Sequence, residues 1–111
     1  MSRIKDEIKL EPGNYAVIFL SERPDSPDGY SDMDEQTMEA VSKLPGFLGY
    51  ESARVSPFGM FISYWKDLDA INAWRTDSLH AEAKQKGRST WYTAYRSVVC
   101  KIEETHQFRR E

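Results

Sequence analysis

Residues 80–96, HAEAKQKGRSTWYTAYR, place a histidine, three aromatic rings and two arginines within one short stretch. The His80 imidazole has an ordinary pKa of about 6.5. In its neutral form it can accept a phenolic proton or hold a substrate oxygen. Trp74 stands six residues earlier. Its indole offers a flat apolar wall to a planar ligand, and one N–H donor. His80 and Trp74 are the candidate catalytic residues. Tyr64, Trp65, Trp91 and Tyr95 are candidates for binding an aromatic substrate, and Arg96 for anchoring an anionic group of it. Each has a structural alternative. Trp74 shares a helical face with Leu68 and Ile71 and can be core. His80 can cap a helix near Asp77 or sit at the surface. Rings at alternating strand positions can fill a core or a dimer seam. Arg96 can pair with Glu51 or another acid.

Other chemistries find no residues. Two well-separated histidines and one cysteine make no metal site, and the acids of SDMDEQTMEA spread around a helix start. There is no Gly-rich phosphate loop and no G-x-S-x-G elbow. No cofactor is therefore expected. Cys100 lies in an apolar strand pattern and reads as a small buried hydrophobe. A single cysteine fits a reducing compartment. Net charge is −3 with both signs mixed, which gives no footprint for nucleic acid. The charged start MSRIKDEIKLEPGN has no apolar leader, and the longest apolar run, YAVIFL, is too short to span a bilayer. The expectation is a soluble, cytoplasmic protein that engages no membrane.

The elements that must position these residues follow from periodicity and punctuation. The 111 residues suit one domain. Residues 1–13 form a polar arm closed by Pro12-Gly13, residues 14–104 the domain, and residues 105–111 a polar tail. NYAVIFLSE (14–22) reads as a strand, and RPDSPDG (23–29) as a loop. A helix follows, with Met33, Thr37, Ala40, Val41 and Leu44 on one face and Pro45-Gly46 as its stop. FLGYESARV (47–55) and FGMFISYW (58–65) form a hairpin through Ser56-Pro57. A second helical region starts at Asp67, with a fresh segment capped near Thr76–Ser78 and ended by Gly87. STWYTAYRSVVCKIE (89–103) is the last strand. The order βαββαβ predicts an α+β, ferredoxin-like subunit: a four-stranded antiparallel sheet with two helices on one face.

Both faces of that sheet are apolar. Tyr15, Val17 and Phe19 oppose Ala16, Ile18 and Leu20. Phe58, Met60, Ile62 and Tyr64 oppose Phe61 and Trp65, and Trp91, Tyr95 and Val99 oppose Tyr92, Ala94, Val98, Cys100 and Ile102. Two helices cover one face, so the other requires a partner, and the simplest is a second copy. A homodimer is expected.

The segments GFLGYESAR, GMFISYWKDLDAINAW and HAEAKQKGRSTWYTAYRSVVCKIE resemble the antibiotic biosynthesis monooxygenase-like domains of the dimeric α+β barrel superfamily, over about residues 14–104. The resemblance implies a subunit whose sheet joins its mate's into a barrel, with a pocket between sheet and helices. Some relatives oxidise polyphenols with O₂ and neither metal nor flavin, others bind and degrade haem, and others act on small quinones or signalling molecules. Trp74 matches a pocket tryptophan of the second helix. Haem-degrading relatives carry a ligand histidine ten residues beyond it, where this chain has Lys84, and an asparagine in mid-strand one, where it has Val17, Ile18 and Phe19; Asn14 falls too early. His80 matches a position that cofactor-free relatives fill with a polar aromatic. The resemblance thus implies a cofactor-independent monooxygenase-like enzyme acting on a small planar aromatic or quinol with O₂. The alternatives are a non-catalytic small-molecule-binding or stress-response dimer and, behind it, a haem-binding protein.

Overall fold

The computed structural model describes residues 4–23, 41–55, 57–76 and 92–110. Within them, β1 (Tyr15–Glu22), β2 (Phe47–Val55), β3 (Phe58–Trp65), α1 (Leu68–Arg75) and β4 (Ala94–Lys101) follow in that order. The strands form one sheet in the order β2-β3-β1-β4, antiparallel throughout. This is the ferredoxin-like, α+β arrangement. Among the described residues there is one complete helix where two were expected. Most of the other expected helix falls on residues before Val41, outside the described residues, where the helical segment after Thr76, His80 and Trp91 also lie.

The strands form where β-branched and aromatic residues run between turn residues, and β2 and β3 match the expected bounds. β4 is shorter than expected. It starts at Ala94 because the backbone bends at Thr93, whose N–H and hydroxyl both donate to the Glu22 carbonyl, at 2.9 and 3.1 Å. α1 starts at Asp67, whose Oδ1 accepts the Ala70 N–H at 2.9 Å. It ends at Thr76, whose hydroxyl bonds back to the Asn72 and Ala73 carbonyls.

One face of the sheet carries the core. Val17, Trp65, Ala70, Ile71 and Val41 form its buried cluster, with Tyr15, Leu44, Phe47, Trp74 and Val99 packed on it. Val41 and Leu44 are the last two positions of the first expected helical stripe, and they lie on this face as that stripe requires. The α1 stripe is shifted from the expected one: Ala70 and Ile71 are buried, while Leu68 is 46% exposed. Leu68 is the first helical residue and sits at the rim of the contact.

The opposite face is lined by Ala16, Ile18, Leu20, Phe58, Met60, Ile62, Tyr64, Val98 and Cys100, as the registers require. Phe58, Met60 and Val98 are each about two-fifths exposed. At the β2 edge of the sheet the N-terminal arm docks. Ile8 is buried against Gly49, where a Cβ would fall 2.7 Å from Ile8 Cγ1. Gly49 also has φ +140° and follows a register shift in the β2–β3 pairing, so only glycine suits this irregular point. The polar tail docks in turn on the arm. Arg109 pairs with Asp6 at 2.9 Å, and Gln107 donates to the same carboxylate.

Candidate functional site

Four cross-strand rows run across the helix-bearing face: Phe47–Trp65–Tyr15–Lys101, Tyr50–Ser63–Val17–Val99, Ser52–Phe61–Phe19–Ser97 and Arg54–Gly59–Ser21–Tyr95. The first two lie at the α1 end, and Phe47, Trp65, Tyr15, Val17 and Val99 in them belong to the core. Trp65 is fully buried between Phe47, edge-on at 5.2 Å, and Trp74, stacked at 5.0 Å. Its Nε1–H donates to Ser63 Oγ at 2.9 Å, which satisfies both buried groups.

From Tyr50 of the second row onward the character changes. Tyr50 stacks on Phe61 with centroids 5.2 Å apart and planes at 17°. Phe19 is paired with Phe61 across β1 and β3, and it meets Tyr95 at 5.4 Å and Tyr92 at 5.5 Å. These rings are half-buried. They form a band across the sheet, from Tyr50 through Phe61 and Phe19 to Tyr95. Exposed Ser52 and Ser97 and buried Ser21 supply hydroxyls along it. A surface of flat faces with a few polar groups is what binds a planar ligand and fixes its orientation.

The structure divides the residues that the sequence singled out. Trp65, Trp74 and Tyr95 share the helix-bearing face. Trp65 packs in the core, Trp74 is half-buried against it, and Tyr95 belongs to the aromatic band. Tyr64 and Arg96 point to the opposite face. Arg96 is exposed opposite Leu20 on the edge strand β4. The suggested Arg96–Glu51 pair does not form within the chain, because Glu51 is on β2, at the other edge of the sheet. Glu51 instead accepts the Tyr64 hydroxyl at 2.7 Å and the Lys5 backbone N–H at 3.0 Å. Burial, then the Glu51 hydrogen bond and charge, raise the Tyr64 pKa to about 12. Its phenol is therefore held neutral, a structural clasp rather than a base. Tyr92 was expected beside Ala94 and Val98. The bend at Thr93 breaks the alternation and carries its ring to Phe19.

Tyr50, Phe61, Phe19, Ser21 and Arg54 were not singled out beforehand. Tyr50 and Arg54 reach the helix-bearing face only through the register shift near Gly49, which inverts the parity of β2. The glycine within a strand pattern was the one available signal for that shift. Among the described residues, no three His, Cys, Asp or Glu gather to hold a metal ion, and no helix is long and apolar enough to cross a membrane.

Comparison with known proteins bears on what this face is for. The family model for antibiotic biosynthesis monooxygenase matches residues 11–86. This chain belongs to the antibiotic biosynthesis monooxygenase family. It is 42% identical over 100 residues to YqjZ of Bacillus subtilis, an uncharacterised protein, across 89% of this chain and 88% of that one. In fold the monooxygenase-family chain resembles SnoaB, a cofactor-independent oxygenase from Streptomyces nogalater. That match has a TM-score of 0.70 and 14% identity, and covers 84% of this chain and 96% of that one. It likewise resembles Rv0793 from Mycobacterium tuberculosis, with a TM-score of 0.73 and 10% identity over 85% of this chain and 99% of that one. At these identities the structural matches establish the shared fold of the family.

Proposed function

We propose that this protein is a cofactor-independent, monooxygenase-like enzyme that acts on a small planar aromatic or quinol with O₂, and that it works as a homodimer. The aromatic band Tyr50–Phe61–Phe19–Tyr95 carries the reading, on the face where a family member keeps its pocket. Without flavin or metal, the substrate itself must supply the electrons. An electron-rich, deprotonated aromatic can do so. Conversion of an activated ring CH₂ to C=O by O₂ leaves the second oxygen atom as water and balances without an external reductant. The protein's part is to remove the proton and to hold the anion flat, away from water. In this reading His80 accepts the proton, Trp74 and Trp91 wall the site, and Tyr95 contributes a ring to its floor. Tyr64 and Arg96, on the other face, belong to the seam between subunits along with the exposed Phe58, Met60 and Val98.

The test is oxygen uptake with a panel of hydroquinones and polyphenols under air, run beside thermal melts. Turnover by the wild type that His80→Ala abolishes with an unchanged melt supports the assignment. A lowered melt with unchanged turnover returns His80 to a structural role. Binding of the panel without turnover makes the protein a non-catalytic binding dimer, and neither binding nor turnover removes the reading altogether.

A further inference from the structure

At one end of the aromatic band lies a cation that the proposed chemistry leaves unused. Arg54 is half-buried on β2, and a terminal nitrogen of its guanidinium reaches into the space above Gly59 of β3. Gly59 is buried, and a Cβ there would collide with the Arg54 NH1 nitrogen. The missing side chain leaves room for that nitrogen. One of its terminal nitrogens donates to the Arg23 and Pro57 carbonyls, at 3.3 and 3.0 Å. These bonds fix the guanidinium plane without neutralising it. Among the described residues no carboxylate pairs with it. The buried Ser21 hydroxyl lies beside the same point, 3.4 Å from where the Gly59 Cβ would be.

Row spacing sets the scale. The Arg54–Gly59–Ser21 row is two residues from the Ser52–Phe61–Phe19 row along each strand, or about 7 Å. A ring lying on Phe61 and Phe19 would set a ring-borne acidic group over Arg54 and Ser21. A cation held part-way out of water, with neutral acceptors only, favours such an anion. We infer that Arg54, with the Ser21 hydroxyl, is the carboxylate anchor of this site, and that its ligands are aromatic carboxylic acids rather than neutral aromatics. The inference rests on the reading of the aromatic band as a ligand floor, and deepens it by naming the substrate class.

Calorimetric titration with naphthoate and with naphthamide, its neutral counterpart of the same shape, separates the two ideas. The wild type should bind naphthoate about tenfold more tightly than naphthamide, the usual worth of one charged hydrogen-bonded contact. Arg54→Gln should bring the two affinities together through a loss of naphthoate affinity. Arg54→Lys should restore part of the preference. If Arg54→Gln melts well below the wild type, Ser52→Asp takes its place. Ser52 is exposed on the same strand face, two residues before Arg54, and a carboxylate there should compete for the guanidinium and abolish the preference. Equal wild-type affinities for acid and amide would overturn the anchor while leaving the aromatic floor standing. So would a preference for the acid that survives both substitutions. If neither probe binds, the floor and the anchor fall together.

Discussion

Tyr64 donates its hydroxyl to Glu51 Oε1 at 2.7 Å across the β2–β3 pair, on the face of the sheet that carries no helix. Folding holds this phenol neutral, with its pKa raised to about 12 from the ordinary 10.0. A raised folded-state pKa means that the bond's contribution is complete below pH 10 and is lost as the pH climbs towards 12, because the unfolded chain ionises first. Difference titration of tyrosinate absorbance between the wild type and Tyr64→Phe should therefore show a phenol ionising near 12. A difference titrating near the ordinary tyrosine value would mean the clasp is absent in solution.

The same carboxylate fastens the N-terminal arm, through the Lys5 backbone N–H at 3.0 Å. The Lys5 ammonium lies 3.5 Å from the centre of the Tyr50 ring, and Ile8 is buried on Gly49. Glu51→Ala removes the acceptor of two hydrogen bonds at once and should cost about 1–3 kcal/mol. Amide exchange at Lys5 and Ile8 should speed up beyond what the global loss of stability explains. Exchange that rises only in step with global unfolding would show the arm to be held by Ile8 and Arg109 instead.

Much of this fold was legible because its signals are local. Alternating β-branched and aromatic residues bounded by Pro45-Gly46 and Ser56-Pro57 set β2 and β3 to the residue. The doubly apolar strands set both faces of β1 and β3 correctly. The gaps lie at irregular points: β2 was given no faces, and Tyr92 was given the wrong one. The register shift before Gly49 turned Tyr50 and Arg54 towards the helix-bearing face, and the bend at Thr93 turned Tyr92 the same way. The candidate site was read less well for a related reason. Tyr64 and Trp65 are neighbours in sequence, and a strand sends neighbours to opposite faces. One pocket between sheet and helix cannot be lined by both.

The helix-free face predicts a homodimer. Ile18 pairs with Ile62 and Val98 in the middle of that face, and Phe58, Met60 and Val98 remain about two-fifths exposed on a single chain. Sedimentation at micromolar concentration should give about twice the 12.9 kDa chain mass. Ile62→Glu should shift the protein towards a monomer, since it puts a charge into the centre of the apolar face. A wild type sedimenting as a monodisperse monomer would leave this face without its proposed partner.

Ser63 sits at 1% exposure beneath the Trp65–Trp74 stack, a polar residue in the most buried row of the sheet. Its place there follows from the Trp65 indole. Trp65 has no exposure to solvent, so its N–H must find an acceptor inside, and the same-face residue two positions back on the strand provides one at 2.9 Å. Ser63→Ala keeps nearly the same volume and removes only that acceptor, so it should cost about 1–3 kcal/mol through the stranded donor. Trp74→Phe changes the other partner of Trp65. It keeps an aromatic ring on the stack and should cost less than Trp74→Ala, which leaves a cavity worth about 3–5 kcal/mol in a fully buried site and less at this half-buried one. Chemical denaturation of the three variants gives the order directly. If Ser63→Ala melts with the wild type, the indole N–H has another acceptor, and the serine hydroxyl becomes available to the aromatic band beside it.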